Sequence, residues 1–304
     1  MSLFKCLLLA SLVSQTLPAA RGEAHCPGNV ASLTLRLVQG ALIVVPIEIN
    51  HSRPYDFLID TGAQVTTIEP SLAMELGLKA QGTTGVGGVA TYARTAYSYL
   101  GLIEAGQHSV PNAIAVIQEI TQLKAADSRI RGIVGANFLE HFDVLIDYGR
   151  HILCLDKSGA LSSTIQGEHI ALAEPRGSQQ DLPFTRPVIV AARLSAGEAP
   201  VLLRLDSGSN APLLYTFDAL VPSKSRDKAP TLKRVANGAE QSFAVLPPQD
   251  IHIGSLSVRQ VTFVMPMNSI GAGPTPREDG LLPTAAFKRV FISCTGGYAA
   301  LEPW

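Results

Sequence analysis

Apolar and polar residues alternate along Ser32-Leu33-Thr34-Leu35-Arg36-Leu37-Val38, the pattern of a strand with one buried face. Gln39-Gly40 predicts a turn, and the Val- and Ile-rich run from Ala41 to Asn50 a second strand. A third, Tyr55 to Asp60, ends at Thr61-Gly62. Pro70 to Gly77 predicts one short helix, with Pro at its start and Gly at its end. Tyr97 to Glu104, Val110 to Gln118 and Val144 to Leu155 read as further strands. The expected fold class is mostly β.

The same order then recurs. Val188 to Leu194 and Val201 to Asp206 repeat a strand pair that runs into an acidic turn. The two acidic turns, at Asp60 and Asp206, lie 146 residues apart. Arg131-Gly132-Ile133-Val134-Gly135 follows the first, and Asp279-Gly280-Leu281-Leu282-Pro283 the second. The interval from Asp60 to Gly132 is 72 residues, and from Asp206 to Gly280 it is 74. Two features at matched spacing predict an internal duplication. Residues 25–156 then form one lobe and 182–304 the other. Residues 157–181 read as a linker rich in Gly, Ser, Gln and Glu, with a short strand at His169 to Ala173. Pro222 to Pro230 and Gly271 to Arg277 read as surface loops.

Composition narrows the function classes. The chain has 304 residues, 46% hydrophobic and 16% charged, which suits a folded protein with a sizeable core. Lys and Arg total 24 against 25 Asp and Glu, so no basic footprint for nucleic acid or an anionic membrane is expected. At the N-terminus, Lys5 precedes the apolar run Cys6 to Val13, and Pro18-Ala19-Ala20 follows. That arrangement over residues 1–24 predicts a signal peptide and export, periplasmic or secreted. Cys26, Cys154 and Cys294 remain afterwards, allowing one disulfide whose pairing the sequence leaves open. No Cys-x-x-Cys or His-x-x-x-His spacing suggests a metal.

The candidate chemistry sits in Ile59-Asp60-Thr61-Gly62-Ala63 and Leu205-Asp206-Ser207-Gly208-Ser209. A carboxylate after a buried strand is costly unless hydrogen-bonded. A Gly two residues on lets the chain turn tightly and aim backbone N–H groups at that carboxylate. The intervening Thr or Ser hydroxyl can bond across to the opposite turn.

On these residues each half resembles the retropepsin-like aspartic proteases, and together they resemble a two-lobed, pepsin-like tandem of bacterial type. The resemblance covers roughly residues 30–304 and is specific at the two turns. It implies two β-barrel lobes sharing an active-site cleft. Asp60 and Asp206 become a catalytic dyad, supported by Thr61, Gly62, Ser207, Gly208 and Ser209. Ile133, Val134 and Gly135 support the first turn, Leu281 and Leu282 the second. The implied reaction is endopeptidase hydrolysis through a water activated by the dyad, on a peptide or protein substrate, in a monomer, with no cofactor or metal. A competing reading is a peptide- or protein-binding module on the same scaffold, suggested by Pro283 where the pattern expects the counterpart of Gly135. Pairing of like lobes between two chains is a third arrangement, which the near-equal halves and short linker disfavour. Ser209, facing Ala63, predicts an extra donor for Asp206, which would favour ionised Asp206 and leave the proton on Asp60.

Substrate flaps are expected at hairpin tips. Gly85, Gly87, Gly88 and Tyr92 mark the candidate in the first lobe, and Asn237-Gly238 that in the second. Tyr92 itself reads more readily as a partly buried strand tyrosine than as a substrate cap. Gly85-x-Gly87-x-x-Ala90 also matches a nucleotide fingerprint, but lacks the strand before it and helix after it. Asp147 reads as a hairpin-turn aspartate and not as a third acid.

Overall fold

The computed structural model describes residues 25–88, 91–176, 187–195, 197, 199–215, 229–236, 239–267 and 277–304. The expected leader, most of the two predicted surface loops and the pair Asn237-Gly238 lie outside these residues. The first half contributes β1 (Ser32–Thr34), β2 (Arg36–Val38), β3 (Leu42–Ile49), β4 (Tyr55–Ile59), β5 (Thr66–Ile68) and β6 (Gly82–Gly88). It continues with β7 (Thr91–Ala105), β8 (His108–Ile117), β9 (Ile130–Val134), β10 (Asp143–Asp147) and β11 (Ile152–Asp156). Its helices are short: α1 (Pro70–Glu75), α2 (Thr121–Ala126) and α3 (Ala136–Leu139).

Among the described residues, strands β3-β4-β9-β5-β8-β7 run in that order, and β7 returns to pair with β3 at Ile103 and Ile49, closing a six-stranded barrel. Ile47, Ile49, Phe57, Ile59, Leu100 and Ile103 are buried in its core. Successive residues of a strand face opposite ways. Leu58 therefore points outward, where Val44, Ile120 and Ile130 cover it beside α2.

The second half contributes β12 (Ile170–Ala171), β13 (Ile189–Leu194), β14 (Val201–Asp206), β15 (Leu213–Leu214), β16 (Thr231–Ala236) and β17 (Ala239–Val245). It ends with β18 (Gln249–Ile253), β19 (Leu256–Val261), β20 (Val264–Pro266), β21 (Gly280–Pro283), β22 (Arg289–Ser293) and β23 (Tyr298–Glu302). The order β13-β14-β21-β15-β20-β17-β16 repeats β3-β4-β9-β5-β8-β7-β6. The senses repeat too: β4 with β9 and β14 with β21 are parallel, as are β5 with β8 and β15 with β20. Where β7 is one long strand, Leu246-Pro247-Pro248 separates β17 from β18, since proline cannot donate to a ladder. A third sheet, β1-β11-β10-β22-β23-β12, is built from both halves, with Leu145 opposite Phe291 at its centre.

Two predicted strands are each two strands. The run Ser32 to Val38 breaks at buried Leu35, because β1 pairs with β11 in the shared sheet while β2 pairs with β3. Val144 to Leu155 is a hairpin, β10 and β11, whose turn is fixed by the Asp147 carboxylate accepting the Arg150 N–H at 2.8 Å. The linker does hold a short strand, β12, together with a 3-10 turn at Ser162–Thr164. Cys26 and Cys154 form a disulfide, leaving Cys294 outside it. Among the described residues no helix is long and apolar enough to cross a membrane.

Candidate active site

The parallel pair β4–β9 ends with Ile59 opposite Val134, and the Asp60 N–H donates to the Val134 carbonyl at 3.0 Å. The pair β14–β21 ends with Leu205 opposite Leu282 and Asp206 opposite Pro283. Each Asp therefore leaves its barrel at the same point of an equivalent strand. Ile133, Val134, Leu281 and Leu282 lie beside the acidic strands, as expected. Phe57 faces Gly132 and Leu203 faces Gly280, which explains the matched spacing of those glycines.

The two turns lock together by direct exchange. Thr61 N–H donates to Ser207 Oγ at 3.0 Å, and Ser207 N–H to Thr61 Oγ1 at 3.1 Å. Thr61 Oγ1 in turn donates to the Leu205 carbonyl and Ser207 Oγ to the Ile59 carbonyl, both at 2.8 Å. All four bonds are buried and cross between the halves.

This lock presses each glycine onto the opposite acid. A Cβ on Gly62 would stand 2.5 Å from the Asp206 carboxyl carbon, and one on Gly208 2.3 Å from Asp60 Oδ2. Contacts that short exclude any side chain, so glycine is required by close approach at both positions. The carboxyls of Asp60 and Asp206 stand close enough for each to shift the other's protonation.

Their environments differ. Asp60 Oδ1 accepts the Gly62 N–H at 2.8 Å and the Ala63 N–H at 3.0 Å, whereas Asp206 Oδ1 accepts the Gly208 N–H at 2.8 Å. Ser209 does not serve Asp206: its hydroxyl donates to the Ala211 carbonyl at 2.9 Å and accepts the Ala211 N–H. The expectation that Ser209 would keep Asp206 ionised is thus overturned, and the asymmetry reverses. Desolvation raises the Asp60 carboxyl above its usual range, opposed by the Gly62 and Ala63 N–H groups, the Asp206 carboxyl and the Arg204 charge. Asp206 is pushed well above that range, first by burial and then by the Asp60 charge. Asp206 is the better proton holder.

The supporting loops are unlike. Beyond Gly135, α3 begins, and its Asn137 carboxamide accepts the Thr66 N–H at 2.8 Å while donating to the Ile114 carbonyl at 2.7 Å. A Cβ on Gly135 would meet the Val65 carbonyl carbon at 2.7 Å. Beyond Pro283, a 3-10 turn places Thr284 Oγ1 2.6 Å from the Tyr148 hydroxyl. Neither Asn137 nor this Tyr148–Thr284 contact carries a sequence signal. Arg204 was also missed: Nη1 donates to the Gly62 carbonyl at 2.7 Å, and Nη2 pairs with Glu278 at 2.8 Å.

Strands β6 and β7 form a hairpin where the sequence predicts a flap, with Gly87 opposite Tyr92 and Gly88 opposite Thr91. Gly85, Gly87 and Gly88 are strand residues, which removes the nucleotide-fingerprint reading. Tyr92 is 45% exposed and so is not the partly buried tyrosine expected. Its hydroxyl reaches across the hairpin, where a Cβ on Gly85 would meet it at 2.0 Å. Beneath the hairpin lies a mainly apolar crevice lined by Val65, Val86, Tyr97, Tyr99, Ile114 and Val116. Val65, which contributes to its wall, follows Asp60 by five residues. Ala236 pairs with Ala239 in the second half, and Asn237-Gly238 between them lies outside the described residues. Among the described residues no cluster of three or more His, Cys, Asp or Glu could hold a metal.

Residues 45–138 match the family model described as aspartyl protease. Among solved structures, the chain resembles a retropepsin-like aspartic protease from Rickettsia conorii, at 18% identity and a TM-score of 0.30. That likeness covers 41% of this chain and 90% of the other. No curated protein matches the chain.

Proposed function

We propose, for a chain whose residues 45–138 match the aspartyl protease family model, that Asp60 and Asp206 hydrolyse internal peptide bonds. The observation carrying this reading is the mutual approach of the two carboxyls over Gly62 and Gly208. Two carboxyls so close cannot both ionise easily, so they hold one proton between them.

Asp206 begins protonated and Asp60 ionised. A water between them gives a proton to Asp60 as its oxygen attacks the scissile carbonyl carbon. The carbonyl oxygen takes the Asp206 proton, giving a gem-diol. As the C–N bond breaks, Asp60 passes its proton to the leaving nitrogen, and a gem-diol hydroxyl returns one to Asp206. Both acids are then restored, with no covalent intermediate. Strand pairing with the β6–β7 hairpin would hold an extended peptide over the dyad, with an apolar side chain in the crevice at Val65 and Tyr97.

The same reading takes the protein to be exported after removal of residues 1–24 and to act as a monomer, because each half supplies one acid. Its test is incubation of the mature protein with a mixed peptide library from acidic to neutral pH, beside Asp60→Asn and Asp206→Asn. Cleavage by the wild type alone is expected. Equal cleavage by all three would refute the dyad, and binding without cleavage would favour the non-catalytic peptide-binding reading.

A further inference from the structure

Arg204 breaks the likeness between the halves. It stands two residues before Asp206, where Leu58 stands before Asp60. Leu58 lies against apolar neighbours outside its barrel. Arg204, only 16% exposed, instead reaches into the other half, while its partner Glu278 is 3% exposed. A buried ion pair of this kind is seldom the most stable filling for a site, which directs attention to what the guanidinium touches.

It touches the Gly62 carbonyl at 2.7 Å. That oxygen and the Ala63 N–H belong to one planar peptide unit, and this N–H donates to Asp60 Oδ1 at 3.0 Å. A cation on the carbonyl side fixes the plane and polarises it, so the N–H becomes a stronger donor. We infer that Arg204, anchored by Glu278, is a positioning residue that clamps the Gly62–Ala63 peptide and so holds Asp60 as the ionised member of the pair.

Besides the two acids themselves, the groups facing them are Arg204 and Tyr215 from the second half and Tyr148 from the β10–β11 turn, with Glu278 behind Arg204. Arg204 is the cation among them, and its charge favours the ionised form of both acids. Tyr148 and Tyr215 are held protonated, chiefly by burial.

The experiment compares wild type with Arg204→Leu/Glu278→Leu, which removes both buried charges together and places at 204 the residue found at 58. Arg204→Lys is the second variant, since an ammonium cannot fork to Gly62 and Glu278 as a guanidinium does. Carboxyl titration is followed by NMR on protein carrying 13C-labelled aspartate, alongside the pH profile of kcat/KM. The lower apparent pKa of the pair should rise by about one unit in the double variant, a tenfold change in proton affinity. In the lysine variant the rise should be smaller, and kcat should fall more than KM rises in both. A lowered melting temperature with titration curves superimposable on wild type would overturn the inference, leaving Arg204 a scaffold residue. If the double variant does not fold, an unmoved curve in Arg204→Lys overturns it equally. The turnover readout rests on the proposed protease activity, but the NMR readout does not. Displaced curves in a protein that cuts no peptide would sink the protease reading alone.

Discussion

Thr61 and Ser207 each give a backbone N–H to the other's side-chain oxygen, across 146 residues of chain. Thr61→Val removes the acceptor of the Ser207 N–H and the donor to the Leu205 carbonyl, leaving both groups buried and unpaired. Each orphan costs about 1–3 kcal/mol, so chemical denaturation should show a loss of about 2–6 kcal/mol. Ser207→Ala should cost a similar amount. Because the two side chains belong to one network, the double variant should lose clearly less than the sum. Strict additivity would show that the lock does not act as a unit.

The proton on Asp206 carries a stability consequence. A carboxyl whose folded pKa lies above its unfolded value imposes no penalty below the unfolded value, near pH 4. As pH rises from there through the folded pKa, the folded state loses stability relative to the unfolded chain. Asp206 is pushed well above its ordinary value by burial and by the Asp60 charge, so the loss should accumulate from pH 4 toward neutrality. Asp206→Asn removes that titration. The variant's melting temperature relative to wild type should be higher at pH 7 than at pH 3.5, and a difference independent of pH would contradict the assignment.

Ser209→Ala should leave the acidic limb of the pH–rate profile where it is, because the hydroxyl bonds the Ala211 backbone and not Asp206. A displaced acidic limb would show that the hydroxyl acts on the dyad after all. By contrast, Gly208→Ala should abolish turnover, since its Cβ would occupy the space of the Asp60 carboxyl. Retained turnover in that variant would be incompatible with the packing of the two turns.

The disulfide joins residues 128 apart, tying the segment before β1 to β11 of the shared sheet. Closing so long a loop in the unfolded chain corresponds to about 5 kcal/mol in the chain-entropy picture, and removing a native bridge costs about 2–5 kcal/mol. The double variant Cys26→Ser/Cys154→Ser should therefore melt well below the oxidised protein. Equal melting would mean that the bridge is not formed in solution.

What could be read from the chain depended on how local each signal was. Asp60-Thr61-Gly62 and Asp206-Ser207-Gly208 announce themselves because the acid, hydroxyl and glycine are adjacent in sequence. The Gly132 and Gly280 spacing was visible because parallel pairing beside the acidic strand is repeated at the same register. Arg204 gave no such sign: an arginine at an alternate strand position ordinarily points to water, and only the other half supplies the Gly62 carbonyl it binds. Ser209 misled for the same reason, since proximity in sequence to Asp206 does not fix which acceptor its hydroxyl finds. Leu35 continued an unbroken alternation, and the change of sheet at that point is visible only once β11 and β3 are in place.

The pairing of β10 with β22, from Asp143 opposite Ser293 to Asp147 opposite Arg289, gives assembly a calendar. A ribosome delivers β10 long before β22, and an unpaired strand edge accepts other strands readily. Until β22 emerges, the first half has an open flank and the central sheet is unfinished. Asp60 therefore waits, at the end of a half-finished scaffold, for the turn that carries Asp206 to be made and locked against it.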